Sequence, residues 1–133
     1  MKTKNNYEEL KRNIYIDVSR GGKLVIEDEV AIEPFASIIC WHEIRIGRGT
    51  QIASGVRIID FEHDFSVLNK IRDKGMGESV NIGEYCLIGS NAVILKGVTL
   101  GDGCIVGAGS IVTKSFPAGS IIIGNPAKLL RMR

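Results

Sequence analysis

The sequence is poor in aromatic and histidine side chains. Its 133 residues include one tryptophan, three tyrosines, four phenylalanines and two histidines, against sixteen glycines. So many glycines with so little aromatic bulk predict a regular interior with many turns, in which large rings would not fit.

Long apolar runs and an excess of charge of one sign are also missing. No apolar run approaches the roughly 20 residues of a membrane span, and residues 1–13 contain no apolar stretch of the kind found in signal peptides. We therefore expect a cytoplasmic protein. The net charge of +2 comes from 17 basic and 15 acidic residues that are mostly interspersed, so the basic stripe typical of nucleic-acid binding is absent.

The sequence does contain a repeat of six residues between positions 80 and 112. Six matches neither the helical period of 3.6 nor the strand period of two, whereas hexapeptide repeats are typical of parallel β-helices. Glycine often follows the repeated aliphatic residue, and we expect it to serve the tight turns. The aliphatic positions are Ile82, Ile88, Ile94, Leu100, Val106 and Val112, and the small residues four places later are Cys86, Ala92, Val98, Cys104 and Ser110.

The same repeat extends toward the N-terminus with two interruptions. It begins at Ile26, slips by two residues across 42–45, which predicts a bulged corner, and stops between Ile58 and Val80. Twelve hexads at three per coil predict about four coils, and the second interruption predicts an extruded loop at about 62–80. Because insertions in solenoids emerge on one face, this loop is the natural place for function.

The chain is expected to form one domain spanning 1–133, in three parts. Residues 1–23 form an N-terminal cap, 24–123 the β-helix and 124–133 a basic tail. Residues 1–13 predict a short helix with Asn6 as its N-cap, and residues 14–26 predict either a hairpin or an irregular first coil.

Three cysteines, Cys40, Cys86 and Cys104, have no metal-ligand spacing and make an odd number for disulfides. Cys86 and Cys104 lie three hexads apart, so they should stack on successive coils. We expect buried, reduced thiols and no metal site.

Residues 24–131 resemble the hexapeptide-repeat acyltransferases, and in particular the sugar and polysaccharide O-acetyltransferases. Two stretches carry the resemblance: DFEHDF before the predicted loop, and IGEYCLIGSNAVILKGVTLGDGCIVGAGSIVTKSFPAGSIIIGNPAKLLR after it. The resemblance implies an all-β fold, a left-handed parallel β-helix, and transfer of an acetyl group from acetyl-CoA to a hydroxyl by direct attack. It also implies a homotrimer with active sites between subunits.

The resemblance implies that His63 is the catalytic base, because it stands at the family's histidine position before the loop. An imidazole near its reference pKa suits the removal of a hydroxyl proton at neutral pH. Asp60 is close enough in sequence to orient it. The alternatives are a loop histidine on the surface and a solvated aspartate.

Two residues are candidates for the acceptor, a sugar or polysaccharide precursor. His42 lies in the predicted bulged corner beside Trp41, where surface packing is the alternative. Glu33 aligns with an asparagine that contacts the acceptor in the galactoside type.

Six residues are carried over from the family as contacts for acetyl-CoA. The alternative is that the small ones only serve turns and the basic ones only keep the chain soluble. Ser90 and Ala108 would contact the pantetheine arm, Thr113 and Lys114 the adenine end, and Lys128 and Arg131 the phosphates.

Other functions for this fold class fit the sequence less well. Zinc carbonic anhydrases of this fold use three histidines per site, and the chain has two. An N-acetyltransferase of a nucleotide-linked amino sugar usually carries a preceding nucleotide-binding domain, for which the short N-terminus leaves no room. A non-catalytic β-helix assembly protein would not need His63, the long loop or the NPAKLLR tail.

Overall fold

The chain folds into strands and turns. The computed structural model describes residues 13–67 and 70–133, with the side chains of 13–63 and 77–133, and this part contains no helix. The helix predicted over residues 1–13 lies almost wholly outside the described residues. The strands are β1 (Tyr15–Val18), β2 (Lys23–Ile26), β3 (Ala31–Ile32), β4 (Ser37–Cys40), β5 (Glu43–Ile46), β6 (Gln51–Ile52), β7 (Arg57–Ile59), β8 (Phe61–Val67), β9 (Lys70–Gly77), β10 (Val80–Ile82), β11 (Leu87–Ile88), β12 (Val93–Ile94), β13 (Thr99–Leu100), β14 (Ile105–Val106), β15 (Ile111–Val112), β16 (Ser120–Gly124) and β17 (Ala127–Met132).

Three parallel sheets form the sides of a triangular column. Sheet A has the order β1-β4-β7-β12-β15, sheet B has β2-β5-β10-β13, and sheet C has β3-β6-β11-β14-β16, with β17 added antiparallel at its end. The chain visits sheets A, B and C in turn, and each circuit is one coil. A bridge between Leu100 and Phe116 continues sheet B into the last coil.

The column has five coils, so the prediction of about four is wrong. The twelve counted hexads leave out three sides: β1 in the first coil, and Phe116 and β16 in the last coil. In the first coil, β1 pairs in parallel with β4 and β2 pairs in parallel with β5. The hairpin predicted as one alternative for residues 14–26 is therefore also wrong, because β1 and β2 belong to different sheets. The other alternative, an irregular first coil, is confirmed.

The core of the column is formed by the side chains of the repeated aliphatic residues. Each of these side chains is at most 2% exposed from Ile38 to Ile122, and in the last coil Phe116, 8% exposed, takes the aliphatic place. Burial of a large aliphatic side chain contributes about 1.5–3 kcal/mol, so repetition over five coils supplies most of the stabilisation. All three cysteines are buried and free, and Cys86 and Cys104 lie on adjacent coils as predicted.

The glycine after the aliphatic residue serves close packing, which corrects the turn role expected for it. A Cβ built on Gly89 would lie 2.7 Å from the backbone nitrogen of Ala108 and 2.7 Å from the carbonyl oxygen of Val106 on the next coil. The positive φ of the turns falls two residues later, for example at Asn91 (61°) and Gly97 (78°). Side chains other than glycine thus occupy some left-handed positions, whereas a substituent on Gly89 has no room.

Extra residues enter the coils where the chain passes from sheet A to sheet B, which we name the A–B corner. Aliphatic residues in equivalent positions are six apart in the fourth coil, at Ile94 and Leu100, but residues 16 and 26, 38 and 46, and 58 and 82 are farther apart. The third and longest insertion is the antiparallel hairpin of β8 and β9, residues 61–77, in place of the loop predicted at about 62–80. Within the described ranges, no helix could cross a membrane.

Candidate functional site at the A–B corner

The A–B corners of the five coils lie one above another along one edge of the column. The corner places Arg20 on the first coil, Trp41 and His42 on the second, Asp60 and His63 on the third, and Thr113 with Lys114 on the fifth. Residues far apart in sequence therefore line a single edge, because in-register parallel strands hold equivalent positions about 4.8 Å apart.

A stack of three flat groups forms the centre of this edge. The rings of Trp41 and Phe61 are parallel within 3°, with centroids 3.6 Å apart, and the Arg20 guanidinium carbon lies 3.9 Å from the Trp41 centroid. The Trp41 Nε1–H donates to Asp17 Oδ2 at 3.3 Å. Stacking and a hydrogen bond at the ring edge fix the indole in place.

His63 lies against this stack. Its ring is nearly perpendicular to both aromatic rings, with centroid distances of 5.6 Å to Phe61 and 6.2 Å to Trp41. The side chain is exposed at the base of the hairpin. The imidazole is thus oriented by packing and still accessible to a substrate, which are the two properties that a general base needs.

Asp60 is buried, so the solvated alternative is wrong. Its Oδ1 accepts the backbone N–H of Trp41 at 2.9 Å and its Oδ2 accepts that of His42 at 2.8 Å, and the side chain is fully buried. The carboxylate holds the bulged corner of the second coil against the third. Asp60 therefore binds the main chain of Trp41, against whose ring His63 packs.

We expect Asp60→Ala to lower the free energy of unfolding by about 2–5 kcal/mol, because the backbone N–H groups of Trp41 and His42 lose a fully buried, charged acceptor. Asp102→Ala is the matched control, since Asp102 Oδ1 also accepts a backbone N–H, that of Glu84 at 2.8 Å, but on an exposed corner. Urea denaturation followed by circular dichroism measures both. Equal losses in the two variants would contradict this role for Asp60.

Cys40 lies beneath the same corner. Burial, together with the negative charge of Asp60, raises the pKa of its thiol to about 11 from an ordinary value of 9.0. Burial likewise raises the pKa of Cys86. Both thiols therefore stay protonated in the folded protein at neutral pH, and low nucleophilic reactivity follows.

These raised pKa values predict a loss of stability at alkaline pH. Above about pH 9 the unfolded chain releases thiol protons that the folded protein retains, so the free energy of unfolding falls as the pH rises from about 9 to about 11. Cys40→Ala removes one of these groups and should show a shallower decline. Urea denaturation at several pH values measures the difference, and parallel curves for the two proteins would refute the prediction.

A second edge of the column holds other predicted residues. Where the chain passes from sheet C to sheet A, the C–A corner, the structure places Glu33 on the first coil, Ser90 on the third and Ala108 on the fourth, all exposed. The N–H of Gly109 donates to the Ser90 carbonyl at 2.8 Å, so these two corners are stacked directly. Lys128 and Arg131 lie exposed on β17 at the end of sheet C.

The predicted residues are therefore divided between two edges. His42, Asp60, His63, Thr113 and Lys114 lie at the A–B corner, whereas Glu33, Ser90 and Ala108 lie at the C–A corner, across the full width of sheet A. One side of a coil is six residues long, up to about 20 Å at the rise of an extended strand. A single chain does not bring the two sets together.

The contacts of Arg20, Asp17 and Phe61 at the site were not predicted from the sequence. Arg20 and Asp17 precede Ile26, where the counted repeat begins, and Phe61 is the first residue of the inserted β8. A signal was present nonetheless, because the hexad spacing is broken at the same point of three successive coils. Alignment of these three breaks in the hexad spacing places Arg20, Trp41 and Phe61 on one edge.

Other features of the surface do not coincide with this site. Among the residues that the structure describes, no three His, Cys, Asp or Glu side chains are grouped to hold a metal ion. A shallow depression of about 260 Å³ lies by sheet C, with Gln51, Tyr85, Leu87 and Arg133 in its wall, and it includes none of the predicted site residues.

Comparison with known proteins agrees with this architecture. Residues 79–114 match the family model described as "Hexapeptide repeat of succinyl-transferase". Nodulation protein L of Rhizobium leguminosarum bv. viciae is 50% identical over 86 residues, which cover 65% of this chain and 45% of that protein. The chain thus spans less than half of this curated relative.

Solved structures show the same likeness over most of the chain. The maltose O-acetyltransferase from Clostridium difficile 630 has a TM-score of 0.78 and 28% identity, covering 92% of this chain and 66% of that one. A galactoside acetyltransferase in complex with coenzyme A has a TM-score of 0.70 and 25% identity, covering 90% and 64%.

The repeat, the three parallel sheets and these similarities define a left-handed β-helix of the hexapeptide-repeat class. Within that class, the chain is similar to sugar O-acetyltransferases, of which the maltose and galactoside enzymes above are two.

Proposed function

We propose that this protein transfers the acetyl group of acetyl-CoA to a hydroxyl of a sugar or polysaccharide precursor, with His63 as the general base. The observation that carries the proposal is the exposed imidazole held against Trp41 and Phe61 at the A–B corner. Two of the similar solved structures are a maltose O-acetyltransferase and a galactoside acetyltransferase, the second in complex with coenzyme A.

In the proposed reaction, His63 removes the proton of the acceptor hydroxyl as the new C–O bond forms. Acetyl-CoA supplies a thioester, whose carbonyl carbon accepts the hydroxyl oxygen and whose sulfur leaves as the C–S bond breaks. The imidazolium then returns the proton to the departing thiolate, so that the base is regenerated. Asp60 supports this step indirectly, because it fixes the corner that carries Trp41.

The residues proposed for acetyl-CoA have suitable chemistry. Ser90 and Ala108 are small and exposed on stacked corners, which leaves room for the pantetheine arm beside them. Lys114, Lys128 and Arg131 are exposed cations that suit the phosphates. Thr113 is exposed beside Lys114.

We further propose that the complete site forms between two copies in a homotrimer. The outer face of sheet A carries Ile39, Ile59, Val93, Leu95 and Ile111 and separates the two edges. A closed ring of three copies would cover this apolar face. It would also bring the A–B corner of one copy to the C–A corner of the next, where Glu33 and His42 could contact the acceptor from opposite sides.

The experiment that tests the activity combines acetyl-CoA with free sugars, oligosaccharides, nucleotide sugars and amino sugars. Release of free thiol and the gain of one acetyl group by mass spectrometry score each acceptor. Transfer to hydroxyl acceptors supports the proposal, transfer only to amino sugars replaces it with N-acetylation, and no thiol release with any acceptor rejects it.

A further inference from the structure

We propose that Arg20 forms an acceptor subsite that binds an anionic group, the carboxylate of an acidic sugar or the phosphate of a sugar phosphate. This inference rests on the proposed function in one respect, namely that the bound molecule is the acetyl acceptor. It does not follow from that function, since a neutral sugar would also be a suitable acceptor.

The first observation is how Arg20 is held. Its guanidinium is stacked on Trp41 at 3.9 Å, and the residue is exposed. A guanidinium that stacks through its face keeps its N–H donors at the edge of its plane, available for bidentate bonds to a carboxylate or phosphate. The stacking removes much of the side-chain freedom that such a contact would otherwise have to restrict.

The second observation is that Arg20, unlike Arg45 and Arg48, has no acidic partner among the side chains that the structure describes. Arg45 pairs with Glu27 at 3.1 Å and Arg48 pairs with Glu29 at 3.3 Å. Within the described part of the chain, no carboxylate comes within 4.0 Å of the Arg20 guanidinium, and the nearby Asp17 accepts the Trp41 indole N–H instead. Among the described side chains, the positive charge of Arg20 is therefore not paired with a carboxylate.

The third observation is the place of Arg20 relative to His63. Both groups lie against the Trp41 ring, with 3.9 Å from the guanidinium carbon to the ring centroid and 6.2 Å from that centroid to the centroid of the imidazole. Arg20 is on the first coil and His63 on the third, while the proposed contacts for the adenine end, Thr113 and Lys114, are on the fifth. An anion at Arg20 thus lies on the side of His63 opposite the nucleotide and belongs to the acceptor.

The stack also excludes the usual way of binding a neutral sugar at a tryptophan. Carbohydrates pack against an open aromatic face, but one face of Trp41 is covered by Phe61 and the other by Arg20. What the stack presents to an acceptor is the cationic edge of Arg20 rather than an apolar ring.

The test uses three acceptors with the same ring: glucose, glucuronic acid and glucose 1-phosphate. We would measure kcat/KM for acetyl transfer and, without acetyl-CoA, direct binding by ligand-observed NMR, each at low and high salt. The proteins are the wild type, Arg20→Gln, Arg20→Lys and the control Arg48→Gln, which removes the same charge from a corner between sheets B and C. Thermal unfolding confirms that each variant is folded.

We expect the wild type to prefer one anionic acceptor over glucose by at least about tenfold, as charge-assisted bidentate bonds suggest, and salt to weaken this preference. Arg20→Gln should abolish the preference, Arg20→Lys should retain part of it, and Arg48→Gln should retain all of it. Whether the uronate or the phosphate is preferred identifies the anionic group.

Two results would overturn the inference: a wild type that does not favour either anion over glucose, or an Arg20→Gln variant that keeps the preference. Its failure can be told apart from failure of the proposed function. Acetylation of neutral sugars alone would reject the Arg20 subsite and leave the function standing. Anion binding that depends on Arg20, with no acetyl transfer to any acceptor, would reject the proposed function and leave the Arg20 subsite standing.

Discussion

Replacement of His63 by alanine is expected to lower kcat for acetyl transfer by at least about 100-fold, the usual contribution of a positioned general base. The fold should not suffer, because His63 is exposed and its ring contacts lie at the rim of the Trp41–Phe61 stack. The measurement is steady-state turnover with the best acceptor of the panel, alongside thermal unfolding and coenzyme A binding. A base that acts only in the chemical step leaves both of these unchanged.

His42→Ala is the informative comparison, because it removes an imidazole from the same edge of the column, one coil away. If His42 contacts the acceptor, this variant should change KM for the acceptor far more than kcat. A His63→Ala protein that turns over at the wild-type rate would refute the assignment, and so would a loss of turnover that follows His42 rather than His63.

Two inactive variants are expected to restore activity when their chains are combined. His63→Ala damages the A–B corner. Ala108→Arg puts a long side chain where the pantetheine arm is proposed to lie, which should lower kcat/KM by at least about tenfold. If each site uses one corner from each of two neighbours, random co-assembly leaves on the order of a quarter of the sites intact. Co-expression of the two chains, purification of the mixed oligomer and assay of thiol release measure the restored fraction.

The control combines Ala108→Arg with Ser90→Arg, because both damage the C–A corner and every site then receives a damaged one. No restoration is expected in this mixture. Activity that is absent from both mixtures, in oligomers shown to contain both chains, would mean that each copy carries a complete site and would refute the shared site.

The hexad repeat was sufficient to predict the architecture. Because the period of six fits only a coil with three short sides, the positions of Ile82, Ile88 and Ile94 predicted which side chains point inward, and all three are buried. The long interruption after Ile58 likewise predicted the inserted segment that follows His63. These features depend on local spacing, which a sequence displays directly.

The number of coils and the interior of the site depend on contacts between coils, which spacing does not display. The sheet A side of the first coil was not counted because an extra-long A–B corner puts Ile16 out of phase with Ile26, and because Ile16 is 44% exposed rather than buried. The stack of Arg20, Trp41 and Phe61 joins three coils, and nothing in any one of their segments predicts that these groups meet. Asp60 could be predicted as acidic and near His63, but not as the buried acceptor of two backbone N–H groups.

The unequal A–B corners have a consequence for how this protein can change. The chain re-enters sheet B in the same register whether the A–B corner holds a few extra residues or a whole hairpin. The length of the insertion therefore does not change the pairing of the strands above and below it. Insertions and deletions at this edge can therefore remodel the acceptor pocket while the stacked interior keeps its dimensions, which makes substrate choice and stability separately adjustable in one small chain.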